Sequence, residues 1–82
     1  MEGMRVYDRY PSNPGEYKKL EDGISWLLCV PTGVHGTINN RVWSITEHDD
    51  GTITVSPSIK VVCHVEAYNW HGYLEEGIWQ TC

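Results

Sequence analysis

Between Arg41 and Lys60, apolar and polar residues alternate with the two-residue period of a strand. Trp43 and Ile45 alternate with Ser44 and Thr46, and Ile53 and Val55 with Thr52 and Thr54. An Asp50-Gly51 pair between two arms rich in β-branched residues predicts a β-hairpin. Pro57 has no amide proton to give a ladder, so a central strand is expected to stop there.

The same reading extends outward in both directions. Ile24 to Val30 is an almost unbroken apolar run, too short for a typical helix and suited to a strand buried on both faces. Pro31 to Gly33 turns the chain, and Gly36 to Asn39 starts a short strand before the Asn39-Asn40 turn. Beyond Pro57, Ile59 to Val65 reads as a strand, with Val61 and Cys63 on one face and Val62 and His64 on the other. After Ala67 to Trp70 comes a last hairpin, Tyr73-Leu74 and Ile78-Trp79 joined by Glu75-Glu76-Gly77.

Residues 1–23 are the least patterned. Met4 to Tyr7 suits a short edge strand, residues 11–15 are dense in turn formers, and Glu16 to Asp22 is polar. A helical turn is allowed near Tyr17 to Leu20. The stretch is expected to be an irregular arm that wraps the sheet, or else one that presents Tyr7, Tyr10 and Tyr17 to a partner. With 24–82 as sheet core, the expectation is a single all-β domain. It would be a small antiparallel sandwich or partly open barrel of about five to seven short strands.

Size sharpens this picture. A domain of 82 residues buries only roughly 60% of its unfolded surface and is marginal without a disulfide, a metal or oligomerisation. Three cysteines, an odd number, fit poorly with a disulfide framework. A net charge of −5 and six scattered basic residues argue against non-specific binding to nucleic acid. No apolar run is long enough for a membrane helix, and the N-terminal residues lack the apolar core of a secretory signal. A cytoplasmic location is expected, with thiols kept reduced.

Candidate chemistry lies in the cysteines and histidines. Cys29 and His35 flank a Pro/Gly turn, and Cys63 and His71 stand at the end of one strand and the start of the next. Two thiolates and two imidazoles would make a closed tetrahedral zinc site, a structural staple for a small domain. His64 is an alternative to His71, and Cys82 to either thiol. The competing reading makes Cys29 and Cys63 small buried hydrophobes. No orienting group or oxyanion feature accompanies the Cys–His pairs, so no catalytic residue is assigned. His48-Asp49-Asp50 and Glu75-Glu76 read as solvated turns. Tyr68, Trp70, Tyr73 and Trp79 lie close in sequence and are candidates for a binding surface or for the core.

Three segments together carry a resemblance: Cys29 with His35, residues 52–59 (TITVSPSI) and residues 71–78 (HGYLEEGI). They resemble a family of short, uncharacterised phage and bacterial proteins. That family has a Cys/His opening, a T-x-S-P-S-[IL] segment and a closing H-x-[FYW]-[LIV]-x-x-G segment. The likeness covers about Trp26 to Trp79 and implies that Cys29, His35 and His71 occupy Cys/His positions. A second early cysteine is missing near Thr32 or Gly33. Trp70 stands where relatives often have a cysteine, which leaves Cys63 to serve from upstream. The expected function is a zinc-stabilised binding module of phage type, engaging a host protein or a small ligand in the host cytoplasm. A metal- or thiol-dependent enzyme is the alternative, and oligomerisation is compatible with either.

Overall fold

The computed structural model describes residues Met1 to Cys82, and the chain is all-β. Its strands are β1 (Met4–Arg5), β2 (Glu16–Lys19), β3 (Ser25–Cys29), β4 (His35–Asn39), β5 (Ser44–Glu47), β6 (Ile53–Val61), β7 (Trp70–Glu75) and β8 (Ile78–Thr81). A single 3-10 turn, Glu66–Tyr68, precedes β7. Two four-stranded sheets, in the orders β1-β2-β3-β4 and β5-β6-β7-β8, are not closed into a barrel. All pairings are antiparallel except β1 with β2.

The organising hairpin forms as its pattern requires. Ile45 stands opposite Val55 and Thr46 opposite Thr54, and Gly51 takes φ +90 in the turn. The last hairpin turns on Glu76 and Gly77, both at positive φ as a two-residue primed turn demands. Along β7 the burial alternates strictly, with Trp70, Gly72 and Leu74 inward and His71, Tyr73 and Glu75 outward.

The core lies between the sheets. The first sheet contributes Tyr17, Trp26, Leu28 and Ile38, the second Ile53, Val55, Ile59, Val61, Trp70, Leu74 and Trp79. Burying a large side chain of this kind contributes about 1.5–3 kcal/mol. The rings also meet edge-on: Trp70 and Trp79 centroids are 5.3 Å apart, and Tyr17 and Trp79 are 6.5 Å apart.

Three expectations need correction. The stretch 1–23 is not a plain arm, because β1 and β2 are ladder strands of the first sheet and Tyr17 is fully buried. Its polar composition hides the alternation: Tyr17 points into the core while Lys19 reaches over the Trp26 ring, its ammonium 5.9 Å from the centroid. Secondly, β6 runs through Pro57. Ser56, Pro57 and Ser58 stand opposite Tyr73 alone, so the proline sits in a bulge where no ladder amide is missed. Thirdly, that strand ends at Val61, and residues 62–65 leave the sheet.

The two sheets meet along two seams. At one, the first residues of the chain join them. Gly3 N donates to Gly77 O at 2.7 Å and Trp79 N to Met1 O at 2.8 Å, while Met4 N donates to Gly15 O at 3.1 Å. This segment therefore bonds β8 on one side and β2 on the other. At the second seam β4, the last strand of the first sheet, faces the C-terminal half of β6 with no ladder between them.

Candidate binding cleft

The open seam forms a cleft of about 260 Å³, lined by Leu28, His35, Gly36, Thr37, Ile38, Trp43, Ile59, Lys60, Val61 and Val62. Its floor is apolar because Leu28, Ile38, Ile59 and Val61 are the core residues nearest the gap. Gly36 makes the approach of the sheets possible: a Cβ there would lie 2.8 Å from Val61 Cγ2. Trp43 spans one end, its Nε1 donating to Ser58 O at 3.2 Å. Val62, 68% exposed, marks the other.

Both walls of the cleft are strand edges. Val30 N donates to Val34 O, and Asn40 N to Ile24 O. Antiparallel alternation then gives Val34, Gly36, Ile38 and Asn40 to the β3 ladder and turns the backbone of His35, Thr37 and Asn39 outward. Asn39 O is taken by Trp43 N, which leaves His35 and Thr37. On the facing wall Ile59 and Val61 belong to the β7 ladder, so the backbone of Ser58 and Lys60 points into the gap. Trp43 already uses Ser58 O there. No carboxylate lines the cleft, although the chain carries a net charge of −5. Lys60 is its only formal charge.

The four expected metal donors are not gathered at one point. Cys29 and His35 are direct partners across β3 and β4. The Cys29 thiol is buried on the outer side of that sheet, 3.9 Å from Ser12 O beneath the loop of residues 10–13. His35 Nε2 donates to Pro11 O at 2.7 Å, and its ring packs on Tyr10 at 4.8 Å. His71 lies on the outer face of β7 with Nε2 2.9 Å from Ser58 Oγ. Cys63 Sγ is 3.9 Å from His64 Nδ1. The loops that carry the two pairs do touch, since Thr32 Oγ1 donates to Tyr68 O at 2.7 Å. No three His, Cys, Asp or Glu side chains converge as a metal ion would need, so this arrangement does not fit the zinc cage.

Burial pushes the Cys29 thiol above its ordinary pKa, and the charge of Glu16 adds to that. Glu16 itself is held down at about 2, first by the Arg9 guanidinium and then by the backbone N–H of Asn13. A thiol so placed is kept protonated, the opposite of an activated nucleophile.

The aromatic candidates divide into two kinds. Trp70 and Trp79 are core, and both ring nitrogens are satisfied: Trp70 Nε1 donates to Thr81 Oγ1 and Trp79 Nε1 to Gly15 O, each at 2.9 Å. Tyr68 and Tyr73 are exposed, Tyr73 on the outer face of β7 and Tyr68 on the loop beyond Val62. A second depression, around His48, Asp49, Asp50, Thr52 and Glu76, is polar throughout. Of its three carboxylates, Asp50 has a structural task, since its Oδ1 accepts from Thr52 N at 2.9 Å and shapes the turn. Thr37, Ile38, Lys60 and Val62 were invisible as site residues in the sequence. Only the pairing partners of β4 and β6 reveal which edges stay free.

No family model, curated protein or solved structure matches this chain.

Proposed function

We propose that this protein is a binding module whose open seam receives a macromolecular partner. The observation that carries the reading is the cleft between β4 and β6, apolar at its floor and walled by unpaired backbone. Concave, mostly apolar sites with a few directed polar groups are where proteins take up ligands. The resemblance to phage and bacterial proteins makes a bacterial protein the expected partner and the bacterial cytoplasm the expected setting. A thiol enzyme has weaker support, because Cys29 is sealed and its thiol is raised.

The test uses a photo-crosslinking amino acid placed at Thr37 on the cleft, or at Gln80 on the outer face of β8. Illumination in bacterial lysate is expected to give a discrete adduct from position 37 and none from position 80. Adducts equal at both positions, or absent at 37, would remove the seam as the binding surface.

A further inference from the structure

We propose that the occupant of the cleft is an extended peptide segment bearing acidic residues, which adds to β4 as a further antiparallel strand. The inference rests on the reading of the seam as the binding surface and goes on to name its partner.

Backbone supply favours a strand. His35 and Thr37 each offer an outward N–H and C=O, two residues apart, which is the spacing at which an antiparallel partner exchanges bonds. The β4 edge also lacks the usual protections against such pairing: His35 to Asn39 holds no proline, lysine or other formal charge. By contrast, the outer edge of β8 is already occupied by the first residues of the chain. Glu47 of edge strand β5 is engaged by Arg5 and Lys19. Peptides that extend a sheet gain affinity from main-chain bonds and selectivity from alternate side chains.

The walls define which side chains those are. Residues pointing inward would meet Leu28, Ile38, Ile59 and Val61, so they are apolar. Residues pointing outward stand beside His35 and Thr37 with Lys60 across the gap. In an acidic molecule this is a carboxylate-free surface with one ammonium, and it is complementary to acidic residues. The segment therefore alternates apolar and acidic positions.

A blocked hexapeptide alternating valine with glutamate is the probe, read by backbone amide shifts of the labelled protein. Saturable shifts at Thr37 and Lys60, with Gln80 unmoved, are expected. N-methylation of the glutamate amides removes the bonds to β4 but keeps every side chain, and should weaken binding about tenfold or more. Replacing glutamate by lysine should weaken it in a salt-dependent manner. Thr37→Pro removes one donor from the β4 edge and should weaken the response at Lys60 several-fold, since proline is tolerated on an edge yet cannot donate. If that variant loses its fold, the N-methylated peptide still decides. Equal binding of the methylated peptide, or no shift with any peptide, overturns strand addition. A doubled solution mass with Thr37 protected before any peptide is added also overturns it, in favour of a second copy. Adducts from position 37 alongside peptide failure would sink this inference alone, whereas failure of both would sink the binding reading too.

Discussion

The two seams where the sheets meet are built in opposite ways. At the first, the segment Met1 to Arg5 bonds β8 and β2 in succession, and Trp79 closes the space beneath with its Nε1 on Gly15 O. At the second, β4 and β6 present backbone edges to each other across an apolar floor without bonding. The cysteines are free thiols, so no disulfide shares the task of holding so small a domain together. Cohesion is concentrated at the closed seam and in the aromatic cluster of Tyr17, Trp70 and Trp79. The open seam is left able to gain bonds from outside.

That contrast is most directly broken at Trp79. Trp79→Ala removes a ring that is 2% exposed and edge-on to two others. The expected cost is about 3–5 kcal/mol, a large share of the roughly 5–15 kcal/mol that holds a domain together. The far-ultraviolet spectrum and melting curve should show a largely unfolded chain at 37 °C. Gly3→Ala probes the same seam by addition. Its Cβ would lie 2.7 Å from Trp79 Nε1 and 2.8 Å from Gly77 O, and overpacking of this kind costs about 1–3 kcal/mol. On the open seam, Trp43→Ala is expected to cost no more than about 2 kcal/mol, because that ring is only partly buried against the core. Denaturant midpoints in the reverse order would mean that the open seam carries the stability.

A smaller effect is expected at the clip between the loop and the first sheet. Glu16 in the folded chain ionises at about 2, against an ordinary 4.5, chiefly through its hydrogen bond with Arg9. A folded pKa below the unfolded one stabilises fully above the unfolded value and is lost as pH falls through the folded value. The clip should therefore help at neutral pH and fade between about pH 4.5 and 2. Glu16→Gln should lower the melting temperature at pH 7 and make the remaining acid dependence shallower. Asp22, Glu47 and Asp50 are also held low, so some slope must survive. An unchanged acid profile would show that Arg9 and Glu16 do not clip the loop in solution.

How far the sequence reveals this comparison differs between the two seams. The hairpin of β5 and β6 was legible because alternation and turn chemistry agree in one short window. β3, β4 and the β7–β8 hairpin followed from apolar runs and turn residues. Strand β2 was not legible: Glu16, Lys18 and Lys19 look like loop, and only the buried Tyr17 and the neighbouring Trp26 ring show why they form a strand. Pro57 misled for a related reason, since a bulge excuses a missing donor and no local pattern announces a bulge. Neither seam is local at all. The closed one joins Gly3 to Gly77 and Met1 to Trp79, and the open one is defined by pairings that do not occur. A tight turn forces Cys29 and His35 to pair across β3 and β4. Their relation to Cys63 and His71 depends on how the sheets face, which spacing does not encode.

The smallest expected effect separates those two cysteines and tests the zinc expectation as well. Cys63 lies half-buried on the loop beyond the open seam, with its sulfur 3.9 Å from His64 Nδ1. Cys63→Ser is therefore expected to change stability by less than about 0.5 kcal/mol, as surface substitutions usually do. Cys29 is sealed under the loop of residues 10–13, and a hydroxyl there must find a partner or remain unsatisfied. Cys29→Ser should cost about 1–2 kcal/mol, reduced by whatever bond Ser12 O accepts. Unequal losses, independent of added zinc, are what separate environments require. A large and equal loss in both variants, accompanied by one equivalent of zinc in the parent protein, would require Cys29 to leave its loop and join Cys63 at one ion. The first sheet would then be held by metal at the open seam, and the division between a cohesive seam and a receptive one would fail.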